Sequence, residues 1–109
     1  MSKVGEVFNP RQFFYGCSIP TSILRYKQLP PGSKLVWSLL VRFADASSVV
    51  SLSVNTIADE LGLSARQVNY YVKILVLQGF VKSVHRSSTY YDYEFVRHPC
   101  FSEEVVEHS

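Results

Sequence analysis

No aspartate or glutamate occurs between Glu60 and Asp92. The same window holds Arg66, Lys73, Lys82, His85 and Arg86. An acid-free basic zone is the footprint of a polyanion partner, although a plain solvated basic face has the same composition. Cysteine is scarce: Cys17 and Cys100 stand far apart, without a C-x-x-C pair, and the three histidines are scattered. That spacing excludes a recognisable zinc site, so no metal is expected. There is no apolar run approaching the ~20 residues of a membrane span. The opening MSKVGEVFNPRQ lacks the apolar core of an export signal. The expectation is a cytoplasmic protein with reduced thiols and no membrane partner. Glycine-rich phosphate loops, Walker motifs and G-x-S-x-G elbows are also missing. His85 has no carboxylate or cysteine near it in sequence. The reading is therefore of a protein that is not an enzyme, with no catalytic residues and no cofactor. No repeat and no low-complexity segment occurs.

What is present suits one small domain. The 109 residues are 47% apolar and 14% aromatic, enough for a packed core. The net charge of +2 hides an asymmetry. Residues 1–100 hold all 11 Lys and Arg against six acids, a net +5, and Glu103, Glu104 and Glu107 give the last nine residues −3.

The organising stretch is Ser53 to Val81, SVNTIADELGLSARQVNYYVKILVLQGFV. Ile57, Ala58 and Leu61 lie on one helical face, with Ser53 as N-cap. Gly62 permits the left-handed conformation that closes a helix. Ala58 gives the small side chain a steep helix crossing needs, and Leu63 tucks under the turn. Ser64 and Gln67 form a capping-box pattern for a second helix. Val68, Tyr71, Val72 and Leu75 then repeat at the spacing of a buried stripe. This is a helix-turn-helix pattern, whose second helix enters the major groove in DNA-binding versions. The same unit also occurs as a protein-interaction module.

Before it, residues 1–12 read as a flexible arm. Gln12 to Cys17, QFFYGC, reads as an extended aromatic segment that either covers the core or pairs with another chain. Residues 19–26 suit a short helix with Pro20 in its first turn. A stronger helix runs from Pro31 or Ser33 to about Ala44, with Leu35, Leu39, Leu40 and Phe43 as its buried stripe, Val36 and Trp37 flanking, and Lys34 and Arg42 facing solvent. Val49, Val50 and Leu52 are strand-like. After the motif, FVKSVHR and TYYDYEFV alternate about Ser87-Ser88, a hairpin signal. Tyr91, Tyr93 and Phe95 share one face of it. A helix-turn-helix followed directly by a hairpin is a winged helix. The predicted fold is mainly α with a small β-hairpin: a three-helix core plus wing, with an extra N-terminal helix. The domain spans 13–98, and 99–109 form an acidic tail or the start of a linker.

Three elements together resemble the winged-helix domain of bacterial, phage and plasmid replication-initiation proteins. They are I-P-x-x-[IL]-L-R from Ile19, L-P-P-G-S-K-L-V-W-x-L-L from Leu29, and S-V-N-T-I-A-D-E-L-G-L-S-A-R-Q-V from Ser53. The stretch also resembles the N-terminal domain of the primosomal protein DnaD, which likewise opens with an Ile-Pro helix. The resemblance covers about Phe13 to Val96. It implies DNA binding in replication initiation or replisome organisation, with other replication proteins as partners. Many relatives carry a further C-terminal domain for partner or helicase binding. The helix-turn-helix part is shared with transcription regulators, so regulation is the alternative.

With the apolar stripe inward, the second helix points Ser64, Ala65, Arg66, Asn69, Tyr70 and Lys73 outward. The arginine fork of Arg66 matches guanine O6 and N7, and Asn69 suits adenine. Ser64 stands at the helix N-terminus, where a phosphate can be held. Lys82, His85, Arg86, Ser87 and Ser88 on the wing suit phosphate or minor-groove contact. The partner implied is double-stranded DNA. Ile74 and Leu77 continue a second apolar stripe from Tyr70. Either QFFYGC or the 20–26 helix covers it, or it forms, with Phe13, Phe14 and Tyr15, the surface of a homodimer or another partner.

Overall fold

The computed structural model describes residues 4–7, 9, 19–44, 48–85 and 90–101. Among these residues, four helices and three strands follow in chain order: α1 (Thr21–Arg25), α2 (Pro31–Ala44), β1 (Val49–Ser53), α3 (Val54–Leu61), α4 (Ala65–Leu77), β2 (Val81–His85) and β3 (Tyr90–Phe95). A 3-10 turn, Pro99–Phe101, follows. The strands form one antiparallel sheet in the order β1-β3-β2. The architecture is a winged helix-turn-helix in which α2, α3 and α4 are the helical core, β2 and β3 the wing, and α1 the added N-terminal helix. No helix among the described residues is long and apolar enough to cross a membrane.

Local chemistry fixes the central corner. The Ser53 hydroxyl accepts from the Thr56 amide at 3.0 Å and starts α3. Gly62 ends it at φ 67°, in the left-handed region, while the Leu63 amide donates back to the Ala58 carbonyl at 2.9 Å. That bond turns the chain sharply into α4. Ile57, Ala58, Val68, Val72 and Leu75 seal the corner in one core.

The sheet has one strand more than the hairpin expected from sequence. β1 pairs with β3 along its length, from Val49 opposite Glu94 to Ser53 opposite Tyr90. The wing is thereby anchored to the strand that leads into α3. On β3, Tyr93 is buried at 1% exposure and Phe95 is half-buried, so the face these two share turns to the core.

The buried stripe of α2 differs from the predicted one. Leu35 and Phe43 are 47% and 41% exposed, while Val36, Leu40, Ser33 and Ala44 are buried. Ser33, Val36, Leu40 and Ala44 recur at i, i+3, i+7 and i+11, a true helical stripe hidden by its small residues. The reason is close approach to α4. A Cβ on Gly32 would fall inside the Tyr71 ring, and the Ser33 hydroxyl donates to the Tyr71 carbonyl at 3.0 Å. Leu39 and Leu40 are buried as expected. Lys34 is not simply solvated: its ammonium donates to the Leu24 carbonyl at 2.6 Å. Arg42 faces solvent and lies 3.8 Å from Glu60, an exposed pair of little energetic weight.

The packed body extends past residue 98. His98 stacks on Phe80, with centroids 4.0 Å apart and planes 3° apart. Phe101 meets Trp37 and Phe80 at 6.0 and 5.9 Å. Residues 99–101 therefore dock on the core, where the sequence suggested a tail. The remaining acidic residues, Glu103, Glu104 and Glu107, lie outside the described residues, as do Phe13, Phe14, Tyr15 and Cys17.

Candidate nucleic-acid interface

Helix α4 is the structural centre of the site. Both halves of its capping box are formed. The Gln67 amide donates to Ser64 Oγ at 3.1 Å, and Gln67 Oε1 accepts from the Ser64 amide at 3.0 Å. The Ser64 hydroxyl is therefore engaged in the cap. The first turn carries no acid, so the positive end of the helix dipole stands uncompensated. At the other end Gly79, at φ 85°, lets the Phe80 amide return to the Leu75 carbonyl at 2.9 Å. That turn delivers the chain into β2.

Between these ends the helix has a distinct outward side. Ser64, Ala65, Arg66, Asn69, Tyr70 and Lys73 are all exposed. At helical spacing Arg66, Tyr70, Lys73 and Leu77 fall within an arc of about 60°. All six sequence-predicted residues are exposed, and Arg66, Asn69, Tyr70 and Lys73 share one face, with Ser64 and Ala65 at its N-terminal end. Leu77 joins that face, 74% exposed. Ile74 does not: it is half-buried and packs on the core. The predicted stripe Tyr70–Ile74–Leu77 therefore splits. The 20–26 helix does not cover its outer members. Tyr26 of that segment reaches Gln78, just past the end of α4, at 3.5 Å between oxygens.

One flank of α4 borders the wing. A groove of about 200 Å³ runs there, lined by Asn69, Val72, Lys73, Val76, Ser83 and Tyr93. Ser83 was not singled out in the sequence, where a lone serine in a strand carries no signal. Register explains its place, because Ser83 pairs with Tyr93 on the sheet face turned to α4. The same register puts Lys82 opposite Glu94 and on the other sheet face. The sequence grouped Lys82 with the wing contacts, but alternation turns it away from the groove and toward an acid. His85 ends β2 with its backbone paired to Tyr91. Arg86, Ser87 and Ser88, the expected wing tip, lie outside the described residues.

The fold and this exposed, capped, acid-free helix define a winged helix-turn-helix of the DNA-binding class. The chain belongs to a helix-turn-helix domain family, whose model matches residues 27–81. The match runs from the loop before α2 to the first residue of β2. Comparison with curated proteins and with solved structures found no match. Family membership supports a DNA-binding role.

Proposed function

We propose that this domain reads double-stranded DNA by laying α4 in the major groove, and that it serves replication initiation or replisome organisation in a plasmid, phage or bacterium. The carrying observation is the outward face of α4, where Arg66, Asn69, Tyr70 and Lys73 stand exposed above a formed capping box and no acid interrupts them. Arg66 and Asn69 are assigned to base edges, each at about 1–3 kcal/mol of discrimination. Lys73, with His85, Arg86, Ser87 and Ser88 of the wing, is assigned to the backbone. The resemblance of the Ile19-Pro20 element and the Leu29–Leu40 stretch to initiator domains supports the replication reading over transcription regulation on the same scaffold. Selection from a random duplex pool tests both parts. Enriched iterated repeats support an origin, and a single palindrome supports an operator. Negligible affinity for every duplex at low salt rejects groove reading.

One observation favours a second reading, a protein-association module. Leu77 and Val76 leave the C-terminal end of α4 apolar and exposed. A homodimer through this end would place two copies of α4 on spaced half-sites.

A further inference from the structure

The sequence contains a second acid-free stretch. From Val7 to Ala44 there is no Asp or Glu, and Arg11, Arg25, Lys27, Lys34 and Arg42 are its charges. The fold sets the middle of this stretch against the flank of α4 that the wing leaves open. On the helical wheel of α4, Asn69 and Val76 border the outward face on the wing side, and Tyr71, Ile74 and Gln78 border it on the other. The second border is where the turn between α1 and α2, together with the first residues of α2, packs. Gly32 lies on the Tyr71 ring, the Ser33 hydroxyl donates to the Tyr71 carbonyl, and the Tyr26 hydroxyl reaches Gln78. Tyr71 in turn meets exposed Tyr70 edge-on, ring centroids 5.4 Å apart. Arg25 and Lys27 are exposed on this turn. Lys34 is tied to it through the Leu24 carbonyl. Among the described residues, the one ion pair formed by this stretch is Arg42 with Glu60, so Arg25 and Lys27 keep their charge for a partner.

We propose that the α1–α2 turn is a second DNA-backbone clamp, with Arg25 and Lys27 contacting phosphates on the strand opposite the one the wing contacts. The proposal rests on the groove-reading assignment of α4. A helix lying in a major groove has a sugar-phosphate wall on each side. The wing meets one wall and this turn faces the other. Phosphate contacts of this kind set register and salt dependence without reading sequence.

The test is the salt dependence of binding to a fluorescein-labelled, mixed-sequence duplex about three helical turns long. It uses the full chain and Arg25→Ala, Lys27→Ala and Arg42→Ala variants. Removing one phosphate-neutralising side chain should flatten the slope of log affinity against log salt by about 0.9. Over a four-fold salt range the wild-type fall in affinity should then shrink by about three-fold. Arg25→Ala and Lys27→Ala are expected to show this, singly or both, and Arg42→Ala, neutralised by Glu60, is not. Melting temperatures confirm that these exposed substitutions leave the fold intact. Wild-type slopes in both turn variants, with the parent still binding, overturn the clamp and leave groove reading standing. Equal flattening in all three overturns it too, because the effect is then overall charge. A parent that binds no duplex removes both the clamp and the reading beneath it.

Discussion

Tyr71 lies so close over Gly32 that a single methyl group at position 32 would occupy the phenol ring. This contact sets the distance between α2 and α4, and hence the tilt of the helix that carries the candidate site. Gly32→Ala is therefore expected to destabilise the protein by about 1–3 kcal/mol, the cost of overpacking. Urea denaturation measures it. Replacing Tyr71 with Leu in the same chain should recover part of the stability by making room. If Gly32→Ala melts as the parent does, the contact does not set the spacing.

The cap of α4 gives a second prediction. Ser64 satisfies the Gln67 amide and receives the Gln67 side chain in return. Ser64→Ala should cost about 1 kcal/mol, and Ser64→Asp much less, because a carboxylate also caps and favours the helix N-terminus. Thermal melts separate the two. In DNA binding the order reverses. The Ser64→Asp variant carries a negative charge beside the proposed phosphate path and should bind more weakly than Ser64→Ala.

Arg66 and Lys73 share one exposed face but are assigned different work. Arg66→Ala should relax preference at one base position by about 1–3 kcal/mol. Lys73→Ala should weaken all duplexes alike and lower the salt slope by about 1. Competition titrations with single-substitution duplexes check the first, and a salt series checks the second. Uniform weakening by Arg66→Ala contradicts base contact.

Much of this was legible in the sequence because it is local. Caps, the Gly62 turn and the apolar stripe of α4 depend on neighbours within a few residues, and Ser53, Gly62 and Ser64 do in the structure what their positions suggest. The stripe of α2 was not legible, since Ser33 and Ala44 do not announce burial. Ser33 is buried because another helix comes close, which is a tertiary fact. Ser83 and Lys82 exchange importance for the same reason. Strand register decides which faces the groove: Ser83 pairs with Tyr93 there, and Lys82 pairs with Glu94 on the other face.

His98 was equally silent in the sequence, the last residue of the expected domain. It stacks on buried Phe80, meets Tyr26 edge-on at 5.0 Å, and its Nδ1 accepts from the Cys100 amide at 3.0 Å. His98→Ala should therefore cost about 1–3 kcal/mol through weakened aromatic packing. Denaturant titration measures it. His98→Phe, which keeps the stack and removes only the acceptor, should cost less than alanine. Equal costs would shift the weight from the stack to the hydrogen bond.

Leu77 permits a decision between two uses of the same face. It is exposed, so Leu77→Lys should change stability by no more than about 0.5 kcal/mol. On the homodimer reading, the parent shows concentration-dependent dimers by light scattering and Leu77→Lys is monomeric. DNA affinity then falls, because two linked half-sites become two separate ones. On the reading in which α4 meets DNA as a monomer, mass is unchanged. The new lysine, one turn beyond Lys73 on the outward arc, then raises affinity and steepens the salt slope by about 0.9. The two readings thus predict opposite signs for one substitution, and the sign of the affinity change with the measured mass identifies which surface the end of α4 provides.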